Sequence, residues 1–413
     1  MGNNLDHVTK TATPYTTVPS NMLSLPNEIM CQVAGYLAPA WKLSKWAGHS
    51  MPNDVGDSAS GFGNEQNGEY NKNIRDLLSL GRTCKQLAPV AQEILYRSVA
   101  LRQPAVAGRQ TTPLVSFLRT LIMRPDLAVL VEYLSIWILK SKPIHAVPKA
   151  TDSLEPILAR MVLTPDERSN WREDLHNPTE AMLCSLIFAG LPKLKIVELY
   201  AQPSPVSQSD IEKFGPFKQN DIPHEISRLA QGLATTKIRD LALSTELNGI
   251  SAARLPSLQT LTLDHSGSNP VVNVPKGSFA NVTTLQIQSE TPPGTLGGRL
   301  HLKGAYTWRI DKLCNSLPSL RTLEFDSERA VQDTHIASRI ETVVIRPADF
   351  DAVNWGRAYL GSLTGKEKIK RVEMWWRDDW PFHTIWRLYE ELVRKTGVKV
   401  VVGWRGEVRK VFE

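Results

Sequence analysis

A single pattern of apolar residues, apolar-x-x-apolar-x-apolar, recurs from residue 113 onward. Its last two apolar positions are two residues apart, so both side chains point to one face of a short strand, and the first marks where the chain turns in from the preceding helix or loop. The eight copies are Val131/Leu134/Ile136, Leu194/Val197/Leu199, Ile238/Leu241/Leu243, Leu258/Leu261/Leu263, Val282/Leu285/Ile287, Leu320/Leu323/Phe325, Ile340/Val343/Ile345 and Ile369/Val372/Met374. Three of them begin with Leu-Pro-x-Leu, at residues 191–194, 255–258 and 317–320. The pattern predicts eight short strands.

Helix-like stretches lie between these strands and predict crossover connections. They are residues 113–123, 179–189, 224–233, 306–317, 351–363 and 382–396. Gly190 and Gly397 follow two of them, at the position where glycine commonly ends a helix. Strand, helix and strand in one direction give a parallel sheet, and units that bury their apolar face only against neighbours stack into a solenoid. We predict an α/β solenoid with parallel strands over residues 102–413; an unrelated α/β domain with parallel strands is the alternative.

Two apolar segments near the amino terminus have helical spacing instead. Residues 23–37 carry Ile29 and Val33 at a four-residue step, and residues 74–101 carry Leu77 and Leu80 at a three-residue step. Short amphipathic helices hold their shape only by packing. The segments predict a small helical bundle with more apolar surface than it can bury alone, although core helices of an ordinary all-helical domain have the same spacing.

The order of residue types in these segments resembles an F-box, the adaptor-binding module of substrate receptors in cullin-RING ubiquitin ligases. The first segment has Leu-Pro-x-Glu-Ile at 25–29 and Tyr-Leu at 36–37; the second has Asp-Leu-Leu-x-Leu at 76–80, Cys-Lys at 84–85 and Leu-Tyr-Arg-Ser-Val at 95–99. The resemblance implies docking on a Skp-type adaptor of a cullin-RING ligase. The adaptor-binding residues would be Leu25, Pro26, Ile29, Val33, Leu77, Leu78 and Leu80.

A polar segment separates the two halves of this module, which the family usually joins by only a few residues. Residues 48–73 are rich in Gly, Asn, Asp and Ser and nearly empty of branched apolar residues, so they cannot bury enough surface to order themselves. We therefore expect a disordered tail at 1–20 and a helical module at 21–101 with a flexible insert at 38–73. Such an insert costs little stability because closure entropy grows only logarithmically with loop length.

The repeated strands resemble the leucine-rich repeats that follow the F-box in many fungal F-box proteins. Successive copies start 63, 44, 20, 24, 38, 20 and 29 residues apart, so only some fit the usual period of about 20 to 29. The position that usually holds Asn or Cys is occupied by Gln202, Glu246, Ser266, Glu290 and Glu328. We expect an irregular solenoid without the regular polar ladder. The fold class is then α+β overall: an F-box-like helical bundle followed by a leucine-rich-repeat-like α/β solenoid.

Composition and charge favour an intracellular protein, in the cytoplasm or nucleus. The chain has 413 residues, 42% of them apolar and 22% charged, without the residue order of a secretory signal or an apolar run long enough to cross a bilayer. The scattered cysteines, Cys31, Cys84, Cys184 and Cys314, predict buried thiols rather than disulfides or a zinc site. A net charge of +6 is too dilute to favour a nucleic-acid partner. The basic last fifty residues predict solvated faces or a surface for an acidic partner.

Sequence motifs of the common catalytic sites are absent. Absent are the phosphate-binding Gly-x-x-x-x-Gly-Lys-Ser/Thr, Gly-x-Gly-x-x-Gly after a strand, Gly-x-Ser-x-Gly and His-Glu-x-x-His. Asp378 and Asp379 are adjacent and point to different sides, so with His383 they predict a helix cap rather than a catalytic site. We predict no enzymatic activity, metal or cofactor; an unrecognised enzyme would need a pocket with convergent titratable groups.

Tryptophans are concentrated near the carboxyl end. Six of eleven lie there: Trp355, Trp375, Trp376, Trp380, Trp386 and Trp404. They either seal the open end of the solenoid, which needs a cap, or form an aromatic and cationic hot spot for a target protein. The candidate target-binding residues are Arg371, Trp375, Trp376 and Arg377. Because Trp375 and Trp376 are consecutive in an extended stretch, at most one of them can face the core.

Together these patterns predict a substrate-recognition subunit of an SCF-type cullin-RING ubiquitin ligase. The helical module would bind the adaptor, and the repeats would hold a target protein whose identity no pattern specifies. Its role would be to raise the effective concentration of the target near the conjugating enzyme. The alternative is a non-ligase scaffold whose F-box-like bundle packs against the repeats.

Overall fold

The computed structural model describes most of the chain after residue 63. The described residues are 64–83, 85, 87–101, 113–139, 154–202, 223–243, 250, 254–264, 279–288, 310–325, 339–348, 350–363, 368–376, 383–404 and 407–412. The predicted residues Leu25, Pro26, Ile29, Val33 and Arg377 lie outside them.

Eleven strands of the described chain form one open sheet, in which each strand pairs with the strands before and after it in sequence. Strands β1 to β10 are parallel, and β11 is antiparallel to β10. They are β1 Ser98–Leu101, β2 Tyr133–Leu139, β3 Ile196–Gln202, β4 Asp240–Leu243, β5 Thr260–Asp264, β6 Thr284–Gln288, β7 Thr322–Phe325, β8 Thr342–Ala348, β9 Arg371–Trp376, β10 Lys399–Trp404 and β11 Glu407–Phe412. The eight strands predicted from the apolar pattern are β2 to β9, and their parallel order is confirmed.

The described helices include all six predicted crossovers. They are α1 Asn64–Thr83, α2 Leu87–Arg97, α3 Pro113–Met123, α4 Pro125–Ala128, α5 Glu155–Leu158, α6 Pro165–Asp174, α7 Glu180–Gly190, α8 Pro223–Ala234, α9 Ile310–Ser316, α10 Phe350–Ser362 and α11 His383–Thr396. Gly397 ends α11 with a φ of 70°, as predicted. Gly190 is instead the last residue of α7, and Leu191 is the C-cap. None of the described helices has the length and hydropathy to cross a membrane.

The core lies between these helices and one face of the sheet. The middle apolar residue of every predicted copy, from Leu134 in β2 to Val372 in β9, is no more than 1% exposed. Burying each such side chain contributes roughly 1.5–3 kcal/mol. Cys184 and Cys314 are buried free thiols in the same core, as predicted for these two.

The Leu-Pro-x-Leu segments are β-turns that lead into strands. The Leu194 N–H donates to the Leu191 carbonyl (3.3 Å), and equivalent bonds join 258 to 255 (3.1 Å) and 320 to 317 (3.2 Å). Proline suits the second position of such a turn because its φ is already fixed. Phe279 and Val282 form a fourth turn of this kind without proline (3.2 Å).

The residue before each strand connects neighbouring units through its backbone. The Glu132 carbonyl accepts hydrogen bonds from the N–H groups of Lys195 (2.9 Å) and Ile196 (3.1 Å). The same doubled bond recurs at the carbonyls of 195, 239, 259, 283, 321 and 341. We call this series the lead-in ladder. It fixes the register of each strand at the point where the strand begins.

The sheet contains two further copies of the apolar pattern that the sequence analysis missed. Register places Val99 and Leu101 of β1 beside Leu134 and Ile136, so Tyr96 holds the first position of an earlier copy. In β10, Val400 pairs with Val372, which puts Gly397 in the first position. Because β1 belongs to the sheet, the predicted helical module extends only to Arg97, not to residue 101.

Residues 64–73, predicted as part of a flexible insert, belong to helix α1. This stretch has one glycine and no proline. Once the apolar turns after Ile74 nucleate a helix, each added residue gains a backbone hydrogen bond at little cost, so polar residues can extend it.

A buried polar network holds α6 against α8. The Arg228 side chain is 5% exposed, pairs with Asp174 at 2.6 Å and lies 4.7 Å from the centre of the Trp171 ring. The Trp171 Nε1–H donates to Gln231 Oε1 at 2.8 Å. The charge of Arg228 is therefore balanced by Asp174, and its guanidinium packs against the Trp171 ring.

Candidate functional site

The sheet face opposite the core, here called the outer face, carries rows of aligned side chains. Alternate residues of each strand point to this face, and paired positions on successive strands form continuous rows. The central row is Ala100, Ser135, Glu198, Ala242, Thr262, Gln286, Glu324, Val344, Glu373, Val401 and Val411. Much of this row is buried: Ser135, Glu198, Ala242, Thr262, Val344 and Val401 are at most 8% exposed.

Side chains within the central row are hydrogen-bonded to each other. Thr262 Oγ1 donates to Gln286 Oε1 at 2.7 Å, and Gln286 Nε2 donates to Glu324 Oε2 at 3.0 Å. Burial raises the pKa of the Glu324 carboxyl, and Arg346 and the Gln286 amide only partly oppose this. Three neighbouring side chains of the row are therefore joined by hydrogen bonds, and its Glu324 carboxyl is harder to ionise than a solvated one.

An aromatic pair lies on the outer face near its amino-terminal end. Trp137 and Tyr200 are paired in register, with ring centroids 6.4 Å apart. Beside them, burial and the adjacent Glu198 raise the pKa of Tyr133, which keeps its hydroxyl protonated. This end combines aromatic rings with a buried carboxyl group.

A second aromatic group lies near the carboxyl-terminal end and is called the Trp375 cluster: Arg346, Arg371, Glu373 and Trp375. The Trp375 Nε1–H donates to Glu373 Oε2 at 2.8 Å, and Arg371 Nε pairs with Glu373 Oε1 at 2.6 Å. The Arg346 guanidinium carbon lies 4.9 Å from the centre of the Trp375 ring. The ring is thus oriented by a hydrogen bond at its edge and covered by a cation.

Two backbone features place the Trp375 ring. In β8, Ile345 pairs with Met374 but Ala348 pairs with Trp376, so β8 has one extra residue opposite Trp375. Such a bulge re-aims a side chain, here that of Arg346. On the other side, a Cβ at Gly403 would lie 2.3 Å from two atoms of the ring. The absence of a side chain at 403 therefore makes room for the indole.

Two of the predicted target-binding residues, Arg371 and Trp375, come together in this cluster. Trp376 points to the opposite face, is 6% exposed and belongs to the core, so it is not part of the outer surface. Trp355 and Trp386 also pack against the core, which fits the sealing interpretation for them. The sequence analysis missed Arg346 and Glu373, although alternation along the strands placed Glu373 on the same face as Trp375.

The predicted adaptor residues that the structure describes lie on the α1–α2 hairpin. Leu77 is fully buried with Leu87, Val90 and Ile94 in a small core separate from the main one. Leu80 is half-buried against that core, whereas Leu78 is 44% exposed. Of these three predicted contacts, Leu78 is the one whose side chain is available to a partner.

The hairpin passes into the sheet without a linker. Helix α2 ends at Arg97 and β1 begins at Ser98. The Arg97 carbonyl accepts a hydrogen bond from the Glu132 N–H at 3.1 Å, and Tyr96 and Val99 pack against the main core. The last turn of α2 is therefore shared between hairpin and sheet.

The helical side contains a cavity of about 250 Å³ between α3, α4, α5 and α7. Its lining is mainly apolar, including Leu121, Ile122, Val129 and Ile157. Arg160 is its one titratable lining residue, and its Nη1 donates to the Gly190 carbonyl at 3.3 Å. Such a lining offers no acid–base pair for catalysis. Within the described residues, no group of three or more His, Cys, Asp or Glu side chains could hold a metal ion.

No protein-family model matches this chain, and no curated protein matches its sequence.

Proposed function

We propose that this chain is the substrate-recognition subunit of an SCF-type cullin-RING ubiquitin ligase, built from an F-box-like helical module and a degenerate leucine-rich-repeat array. The F-box-like order of residues in the two amino-terminal segments supports the adaptor-binding half. The observation that carries most weight is the α1–α2 hairpin, which closes its own core with Leu77 and leaves Leu78 exposed. An exposed leucine beside a closed core is suited to contact with an apolar partner.

The target-binding half of the proposal rests on the outer face. The Trp375 cluster joins an aromatic ring with two arginines, and tryptophan and arginine are the residues most enriched among energetically dominant contacts in protein interfaces. Arg371 and Trp375 are the predicted contacts retained in the proposal.

In this role the protein carries out no bond chemistry of its own. It holds the target and the conjugating enzyme in one assembly, so ubiquitin transfer proceeds at a raised effective concentration. Specificity then depends on the outer face, and coupling to the ligase depends on the helical module.

Co-expression with a Skp-type adaptor tests the proposal. We expect the wild-type chain to co-purify with the adaptor, and Leu78→Asp to weaken binding because it puts a charge into an apolar contact. Val162→Asp is the matched control, since Val162 is 91% exposed and lies outside the helical hairpin. The double variant Leu25→Asp and Ile29→Asp extends the test to the first segment. A folded wild-type chain that does not bind the adaptor would refute the ligase role.

A non-ligase scaffold is the second candidate. The observation that favours it is the burial of Leu77 and the partial burial of Leu80, which leave less of the second segment's apolar stripe for an adaptor. If the scaffold interpretation holds, the Leu78→Asp and Val162→Asp variants will both behave as the wild type does in adaptor binding.

A further inference from the structure

We propose that Arg346 is an anchor for a carboxylate, and that an acidic segment of a protein binds at this position through an aspartate or glutamate side chain. The inference rests on the proposed role of the outer face in holding a target, but not on docking to a ligase.

The Arg346 guanidinium is held by an aromatic ring but takes part in no ion pair within the described residues. The guanidinium carbon of Arg346 lies 4.9 Å from the centre of the Trp375 ring, and Arg346 is exposed. Within the described part of the chain it makes no hydrogen bond or ion pair, whereas the neighbouring Arg371 is paired with Glu373. A planar guanidinium presents its N–H donors in a fork that matches the two oxygens of a carboxylate.

The acidic groups nearest to Arg346 do not repel an incoming anion strongly. Glu373 is neutralised by Arg371 and by the hydrogen bond from Trp375. Glu324 accepts a hydrogen bond from Gln286, and burial favours its neutral form. The Glu373 charge is therefore compensated by Arg371, and the exposed Arg346 charge gives complementarity to an acidic partner.

The number of arginines without an ion pair in the Trp375 cluster favours a carboxylate ligand over a phosphate. A phosphate group carries close to two negative charges at neutral pH and is usually met by a cluster of arginines. In the Trp375 cluster, Arg346 has no ion pair and Arg371 is already paired with Glu373. A single bidentate pair suits one carboxylate.

The β8 bulge and Gly403 make this arrangement rigid. The extra residue in β8 aims Arg346 across the Trp375 ring, and the ring fills the space above Gly403. A guanidinium held in this way loses less side-chain entropy on binding than a solvated one.

Fluorescence anisotropy with labelled peptides tests the proposal directly. The probes are a peptide of alternating Glu and Ala, the same peptide with Gln in place of Glu, and one with phosphoserine in place of Glu. We expect the full-length wild-type chain to bind the Glu peptide at least about tenfold more tightly than the Gln peptide. Arg346→Gln should remove that preference, and Arg346→Lys should restore only part of it.

Arg119→Gln is the matched control, because Arg119 is an exposed arginine on α3, away from the outer face. It should keep the wild-type preference, and thermal unfolding should show that both glutamine variants are folded. Equal binding of the Glu and Gln peptides to the wild type, or an unchanged preference in Arg346→Gln, would overturn the proposal. Phosphoserine binding more than tenfold tighter than Glu would replace the carboxylate by a phosphate and overturn it as well. Adaptor co-purification is measured separately, so failure of the anchor is distinguishable from failure of the ligase role.

Discussion

The indole of Trp375 occupies the space that a side chain at Gly403 would need. A Cβ at 403 would lie 2.3 Å from Cε3 and Cζ3 of the ring, far inside van der Waals contact. The two residues are register partners on adjacent strands, β9 and β10. The position of the half-buried ring therefore depends on the absence of a side chain on the neighbouring strand.

Replacing this glycine should displace the ring and uncouple it from Arg346. We expect Gly403→Ala to lower the free energy of unfolding by about 1–3 kcal/mol through overpacking, and to reduce the preference for the Glu peptide. Gly361→Ala in α10 is the control, since no atom lies within 4 Å of a Cβ there and the helix should gain up to about 1 kcal/mol. Urea unfolding and anisotropy measure the two effects. Identical unfolding curves for Gly403→Ala and the wild type would contradict the close contact.

A pair of glutamates should respond to pH with opposite signs. Folding raises the pKa of Glu324 because the carboxyl is buried, so its contribution to stability is present at low pH and is lost as the pH rises through the folded-state pKa. Folding lowers the pKa of Glu341 because Lys370 donates a hydrogen bond to it, so its contribution is present at high pH and is lost on acidification.

We therefore expect Glu324→Gln to be more stable than the wild type at pH 7, and Glu341→Gln to be less stable. The difference for Glu324→Gln should shrink toward zero at about pH 4, below the usual pKa of a glutamate. The difference for Glu341→Gln should persist at that pH and vanish only on further acidification, because the folded-state pKa of Glu341 is lowered. Chemical unfolding at the two pH values measures the differences. The same sign for both variants at pH 7 would show that the two carboxyl environments have been wrongly assigned.

The ion pair between Arg228 and Asp174 should contribute far more than a pair on the surface. Asp174→Asn leaves the nearly buried Arg228 without its counter-charge, and we expect a loss of roughly 1.5–3 kcal/mol in the free energy of unfolding. The control is Asp126→Asn, which breaks the exposed pair with Arg124 at 2.6 Å and should cost much less, because solvent screens a surface pair. Equal losses in thermal or urea unfolding would mean that burial of Arg228 has no energetic consequence.

Strands β2 to β9 could be predicted because each buries two apolar residues on one face, and this requirement is visible as spacing. Strand β10 was not predicted because Gly397 occupies the first apolar position of the pattern. The end of α11 needs a residue with a φ of 70° there. Strand β1 was not predicted for another reason. Its pattern overlaps the end of α2, and one segment of sequence satisfied both the helical and the strand interpretation.

The Trp375 cluster could be predicted only in part. Alternation in β9 shows that Trp375 and Trp376 face opposite ways, and the apolar pattern ending at Met374 puts Trp376 on the core side. The contribution of Arg346 depends on an extra residue in β8, and spacing along one strand gives no information on its pairing with the next. Similarly, the room made by Gly403 depends on the register between β9 and β10.

The hydrogen bond from the Glu132 N–H to the Arg97 carbonyl joins the residue at which the lead-in ladder begins to the last residue of helix α2. Helix α2 runs directly into β1, so the span between the two proposed binding positions, Leu78 and Trp375, depends on how many strands intervene. From β1 to β9 there are eight steps, and neighbouring strands lie about 4.8 Å apart, so the sheet contributes at most about 38 Å to that span. Losing or gaining one repeat would move the two bound proteins closer or farther by roughly 5 Å and leave the joint as stiff as before. The number of repeats would thus set the distance between the two proposed binding positions.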